Sequence, residues 1–190
     1  MSSDNPSSNP TAPYQLYYFP IPGRAEGARV TLSLANLDWN DNEIMGAQYA
    51  QMKKDGQLPW GLVPILQTPD GTLGESTAIM RYIGEMAGLT PKNAFQAAKV
   101  DEFLDGMEPF SRVLSGTFSM DDVDERTKAR QAVFNEDGEG TKSLKLLQTK
   151  IAESTTGWVA NTDHLSIADI RVFCGVFGLF SGNYDGLDKS

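Results

Sequence analysis

The residues best suited to chemistry lie in three short stretches. In YYFPIPGRAEGAR, residues 17–29, an aromatic run ends against a Pro-x-Pro-Gly turn, and a fixed cation, Arg24, follows. A tyrosine at a strand end usually packs its ring and finds one partner for its hydroxyl. Tyr18 can instead aim that hydroxyl at a bound group as a hydrogen-bond donor. Arg24 can support such a site, or form a surface ion pair with Glu26 worth about 0–1 kcal/mol. In VPILQ, Pro64 opens an apolar run. Proline cannot donate to a sheet ladder, so it belongs at a strand's edge or first residue. With a cis Val63–Pro64 bond, the N–H and C=O of Val63 stay open to a short extended peptide. In GES, Glu75 and Ser76 precede a helix. A helix start offers unpaired N–H groups and positive potential, a seat for a carboxylate. Ser76 suits the N-cap position and adds a hydroxyl. With Glu75 available for an ammonium, the pair matches an α-amino acid head.

Other chemistries are disfavoured. Cys174, the single cysteine, lies in the apolar run IRVFCGVF, and the chain has no CxxC. That excludes an internal disulfide and disfavours thioredoxin-type redox work; Cys174 reads as a small buried hydrophobe. His164 is the only histidine and reads as a loop residue, so no metal is expected. A net charge of −9 repels phosphate backbones, which argues against nucleic acid. No apolar run approaches the about 18 residues that a bilayer span needs, so no membrane is expected either.

These residues need elements to hold them. Residues 1–12 are Ser/Asn/Pro-rich and lack a signal-peptide pattern; they are expected to be a disordered tail of a cytoplasmic protein. Residues 14–19 predict a strand. Ala25, Ala28, Leu32 and Ala35 at 3/4 spacing predict a helix over 22–35, with Pro22 in its first turn. A second strand is expected over 39–44, and a polar segment over 46–61 with a short helix at best. Residues 63–67 predict a strand that turns back at Pro69-Asp70-Gly71 as a hairpin. The next helix is expected over 77–87, with Ile79, Ile83 and Met86 on its buried face.

Thr90-Pro91 reads as a linker, and beyond it the strand signal fades. Helical period persists from Val100 to Phe118, with a kink or break expected at Gly106 and Pro109. Two more helices are expected over 123–134 and 141–151. In LSIADI, residues 165–170, Ser166 and Asp169 have capping-box spacing, and Leu165 and Ile170 that of a hydrophobic staple.

Taken in order, LYYF, PGRAEGAR, LPWGLVPIL, ESTAIMRYI, VDEFLDGMEP and LSIADI give the chain, from about Pro13 to Tyr184, a resemblance to the cytosolic glutathione transferases, most similar to their sigma class. The resemblance implies an α/β fold: an N-terminal thioredoxin-like domain (β-α-β-α-β-β-α) over residues 13–88, a linker over 89–94, and an all-α domain over 95–190. Family members run on through further helices, so that second domain is expected to be truncated. The implied activity is conjugation of glutathione, as substrate and without a metal, to soft hydrophobic electrophiles. Tyr18 would hydrogen-bond the glutathione sulfur and favour its thiolate, with Arg24 supporting it.

Val63 before Pro64 would pair with the cysteinyl backbone, and Glu75 and Ser76 would hold the γ-glutamyl end. Tyr49, Lys53 and Leu62 would lie near the glycyl end. Glutamate stands at 75 where this class usually has glutamine, and leucine at 62 where lysine or glutamine is common. Asp101 would reach a partner's glutathione across a homodimer, and Leu104 and Met107 would line the electrophile site. The alternatives are a glutathione-dependent prostaglandin-type isomerase, or a non-catalytic, crystallin-like ligand-binding member.

Overall fold

The computed structural model describes residues 11–187; most of the expected tail, residues 1–10, lies outside the described residues. Ala12 is buried, and its carbonyl accepts a hydrogen bond from Gln15 Nε2 at 2.7 Å. The chain forms two compact units, Met1–Leu89 and Thr90–Ser190, divided beside the Thr90-Pro91 pair.

The first unit runs β1 (Tyr14–Tyr18), a 3-10 turn (Gly23–Ala25), α1 (Glu26–Leu34), β2 (Trp39–Glu43), α2 (Gly46–Lys54), β3 (Ile65–Thr68), β4 (Gly71–Gly74) and α3 (Ser76–Met86). This is the β-α-β-α-β-β-α order of a thioredoxin-like domain. The sheet order is β2-β1-β3-β4. β1 runs parallel to β2, Leu16 opposite Asp41, and antiparallel to β3, Tyr17 opposite Ile65. β3 and β4 close a hairpin with Thr68 opposite Gly71, so Pro69-Asp70 makes the turn.

Alternation along β1 sends Leu16 and Tyr18 into one core with Ala28 and Leu32 of α1 and Ile79 and Ile83 of α3. Tyr17 turns the other way, against Ile44, Met52, Leu58 and Ile65. The approach of α1 to α3 needs a residue without a side chain. A Cβ on Gly27 would stand 2.5 Å from the Met80 sulfur. Beside it, buried Thr31 satisfies its hydroxyl on the Gly27 carbonyl at 2.6 Å.

The second unit is all helical: α4 (Ala94–Arg112), α5 (Val123–Val133), α6 (Glu139–Ala152) and α7 (Ile167–Leu179). Arg171 of α7 reaches α4, donating to Glu108 Oε1 at 2.9 Å and Ser111 Oγ at 2.7 Å. Arg130 of α5 is buried between the rings of Phe118 and Tyr184 and donates to Thr117 Oγ1 and Asp185 Oδ2. His164 is a loop residue and Cys174 is buried, both as expected.

Four expectations need correcting. Met86, expected on the buried face of α3, is exposed, and Met80 is buried there instead. The segment after β2 holds a full nine-residue helix, α2, with Met52 as its buried residue. One inward side chain leaves little periodic signal to read. Of the kink or break expected at Gly106 and Pro109, the break is absent: α4 continues to Arg112. Proline removes one N–H, and the buried residues on both sides of it, Phe103, Met107 and Phe110, hold the helix through the gap. Ser76 is not the N-cap of α3. Glu75 takes that position, and Ser76 is the first helical residue. The left-handed backbone of Glu75, φ +66°, turns the chain into the helix there.

The capping box in LSIADI is present. Ser166 N–H donates to Asp169 Oδ2 at 2.9 Å, and Val159 N–H donates to Asp169 Oδ1 at 2.7 Å. One carboxylate thus caps α7 and ties down the preceding loop. Asp169→Ala is expected to cost about 1–3 kcal/mol, by loss of the cap and orphaning of two partly buried donors. Urea unfolding followed by circular dichroism reads this as a lower midpoint.

Candidate active site

Tyr18 ends β1 with 7 % of its surface exposed and its ring tilted against Phe19 at 5.4 Å. Its hydroxyl accepts the backbone N–H of Arg24 at 3.1 Å. Gly23 makes this contact possible. Its φ is +45°, and a Cβ there would lie 2.7 Å from the Tyr18 oxygen. A hydroxyl that accepts from a fixed N–H still has its own proton to donate, and the accepted bond polarises it toward donation.

The sequence reading missed a residue in this region, Arg29. Its Nε donates to Asp41 Oδ2 at 2.7 Å. Its Nη1 donates to the carbonyls of Ile21 (2.9 Å) and Pro22 (3.2 Å) and to Glu26 Oε2 (3.2 Å). Its Nη2 donates to the Phe19 carbonyl at 3.4 Å. The guanidinium carbon lies 5.8 Å from the centre of the Tyr18 ring. Glu26 pairs with Arg29. The i,i+3 spacing of Glu26 and Arg29 is the local signal that could have exposed this.

The Val63–Pro64 peptide is cis, and Pro64 is buried. β3 begins only at Ile65, so Val63 lies ahead of the ladder instead of within it. Among the described residues no turn or loop backbone hydrogen bond engages Val63. Its side chain packs against both cores of the first unit. At the other end of the hairpin, Glu75 holds φ +66° and ψ +116°. A left-handed backbone in a residue with a Cβ costs about 1–2 kcal/mol, and such outliers gather where function needs them. Ser76 is buried behind it, and α3 starts without a side-chain cap, so the positive end of the helix is left to other partners.

α2 supplies a third group. Tyr49 donates its hydroxyl to the Gly61 carbonyl at 2.9 Å, and its ring meets Phe19 edge-on at 5.5 Å. Lys53, one turn on, has its ammonium 6.0 Å from the Tyr49 ring centre. Leu62, beside Gly61, is exposed. The first unit therefore brings the Tyr18 end of β1 and the Tyr49–Gly61 corner together around Phe19, with Val63 packed on both cores.

The remaining expected site residues belong to the second unit. Asp101 is half-buried on α4, and Leu104 is fully buried. Met107 lines a cleft of about 220 Å³ between α4 and α6, with Phe103, Phe110, Leu146 and Lys150. A hydrogen bond to Glu153 holds the Lys150 ammonium above the usual lysine value. Among the described residues no group of three or more His, Cys, Asp or Glu side chains could hold a metal. None of the described helices is long and apolar enough to cross a membrane.

Comparison with known proteins bears on the same segments. Residues 14–85 match the sequence model of the glutathione S-transferase N-terminal domain family. "Probable glutathione S-transferase 6" of Caenorhabditis elegans is 33 % identical over 153 residues, covering 76 % of this chain and 70 % of the relative. "Hematopoietic prostaglandin D synthase" of Rattus norvegicus is 31 % identical over 114 residues, 60 % of this chain and 56 % of the relative. Among solved structures, prostaglandin synthase D of Nilaparvata lugens superposes with a TM-score of 0.76 at 28 % identity, covering 88 % of this chain and 81 % of that one. With its thioredoxin-like first unit, its helical second unit and a relative of this likeness, the chain belongs to the glutathione S-transferase family.

Proposed function

We propose that this chain joins the sulfur of glutathione to soft, hydrophobic electrophiles, with Tyr18 holding that sulfur as its thiolate. The observation that carries the reading is the 3.1 Å hydrogen bond from Arg24 N–H to the Tyr18 hydroxyl, which leaves the tyrosine's own proton to donate. A hydrogen bond to an anion is worth about 1.5–3 kcal/mol, enough to lower the thiol's pKa by about one to two units from its ordinary value near 8.5. The thiol proton leaves to solvent, the sulfur lone pair forms the new C–S bond, and the leaving group departs with its electron pair. The chain's residues bind, orient and stabilise the anion.

In this reading the cysteinyl backbone of glutathione pairs with Val63, presented by cis-Pro64, and the γ-glutamyl carboxylate sits at the start of α3 against Ser76. Glu75 takes the ammonium, Lys53 the glycyl carboxylate, and Tyr49 and Leu62 flank that end. Arg24 adds positive potential near Tyr18. Asp101 serves the glutathione of a second copy in a homodimer, and Leu104 and Met107 contribute to the electrophile site. The likeness to two prostaglandin D synthases supports a second reading, in which the same thiolate isomerises a peroxide-bearing lipid and is regenerated.

Tyr18→Phe tests the central step, because it removes one oxygen and keeps the ring. Turnover of a generic aryl halide is expected to fall about 10- to 150-fold, with retention on immobilised glutathione unchanged. Wild-type turnover by the variant contradicts the reading. Retention without turnover by the wild type supports a binding protein instead. Glu75→Gly tests the helix seat. It relieves the left-handed backbone, so stability is expected to hold or rise by up to about 1 kcal/mol while retention on glutathione weakens. Chemical unfolding and the affinity column measure the two effects separately.

A further inference from the structure

We infer that the Arg29–Asp41 pair is the positioning device for the Tyr18 hydroxyl, an inference that rests on the role proposed for Tyr18. The contact that aims the hydroxyl comes from the backbone of a turn, and a turn holds its geometry only if something fixes it. Residues 19–24 contain two prolines and a glycine at φ +45°, and within them Ile21 N–H donates to the Phe19 carbonyl at 2.7 Å. Most of the anchoring comes from outside the turn. One guanidinium, that of Arg29, donates to three of its carbonyls: Phe19, Ile21 and Pro22.

A guanidinium presents its donors in a rigid planar fork, so three carbonyls bound to one fork are fixed relative to one another. The fork is itself held from two sides. Glu26 grips it from the same helix, and Asp41 grips it from β2 through Nε at 2.7 Å. Asp41 lies opposite Leu16 in the parallel ladder, two residues before Tyr18. The pair thus ties α1, the turn and the sheet that carries Tyr18 into one unit. Arg29 is mostly buried, with 14 % of its side chain exposed, so solvent screens these contacts weakly. Its guanidinium also lies 5.8 Å from the Tyr18 ring centre, which limits the ring's own movement.

Released from Arg29, the turn would let the Arg24 N–H drift from the tyrosine oxygen, and the hydroxyl would lose its aim. Glutathione's distant contacts at Val63, Ser76 and Lys53 involve other elements and would survive. A residue that acts this way lowers kcat and spares the KM for glutathione.

The test is a double-mutant cycle in the full chain: wild type, Arg29→Gln, Tyr18→Phe and both together, with aryl-halide turnover at saturating glutathione. Arg29→Gln is expected to lower kcat at least about tenfold with KM for glutathione within about threefold, and the double variant to be no slower than Tyr18→Phe alone. Arg29→Lys, which keeps the charge and loses the fork, is expected to recover little. Multiplicative losses in the double variant, an unchanged kcat in Arg29→Gln, or a loss confined to KM would each overturn the inference. A Tyr18→Phe variant at the wild-type rate would instead overturn the role proposed for the tyrosine, so the two failures are distinct. If Arg29→Gln does not fold, Asp41→Asn replaces it in the cycle under the same criteria.

Discussion

Around Tyr18 the first unit depends on one hydrogen bond, from the Arg24 N–H to the tyrosine hydroxyl. A tyrosine hydroxyl rotates freely unless a neighbour occupies its acceptor side. Here a backbone N–H does so, and backbone is the donor a protein can place most rigidly. The contact explains several features of the surrounding sequence. Gly23 is needed because any Cβ would collide with the tyrosine oxygen. The prolines flanking it set the path of the turn, and the arginine at 29 donates to that turn's carbonyls at Phe19, Ile21 and Pro22. Each element is modest alone. Their arrangement depends on the requirement that Arg24 N–H and Tyr18 Oη stay within hydrogen-bond range.

At the far end of the hairpin a different logic holds, in which local strain leaves the start of a helix without a side-chain cap. Glu75 holds a left-handed backbone that a glycine would adopt at lower energy. The sheet and α3 hold it there through a well-packed helix, with Ile79, Met80 and Ile83 buried. The cost at one residue is offset by burial of about 1.5–3 kcal/mol per large apolar side chain one and two turns away. Keeping a carboxylate at 75 while bending the backbone leaves the first turn of α3 uncapped and its positive end available.

Much of this was legible in the sequence where the determinants are local. The aromatic run over residues 14–19 revealed the strand that carries Tyr18. The spacing of Ser166 and Asp169 revealed the cap of α7, because a capping box involves only four consecutive residues. The turn at Pro69-Asp70 was readable for the same reason. What was not legible depends on distant partners. The second contact of Asp169, to Val159, is ten residues away in sequence. α2 buries one residue and so lacks a strong period. α4 survives Pro109 because of packing that the sequence does not display. At the site, the stretches carrying Tyr18, Val63 and Glu75-Ser76 stood out by residue type. Arg29 did not, since its partners are carbonyls whose positions follow only from the fold, and an aspartate on the neighbouring strand. The start of α3 was placed one residue too late because the left-handed turn at Glu75 has no glycine to announce it.

The central claim is that the Tyr18 hydroxyl stabilises a bound sulfur anion, and the most direct measurement is the ionisation of that sulfur itself. Titrating the ultraviolet absorbance of the thiolate in the binary complex of the wild-type chain with glutathione reads it without any electrophile. The account predicts an apparent pKa about one to two units below the free thiol's value near 8.5. A bound thiol that titrates as it does in solution would contradict it.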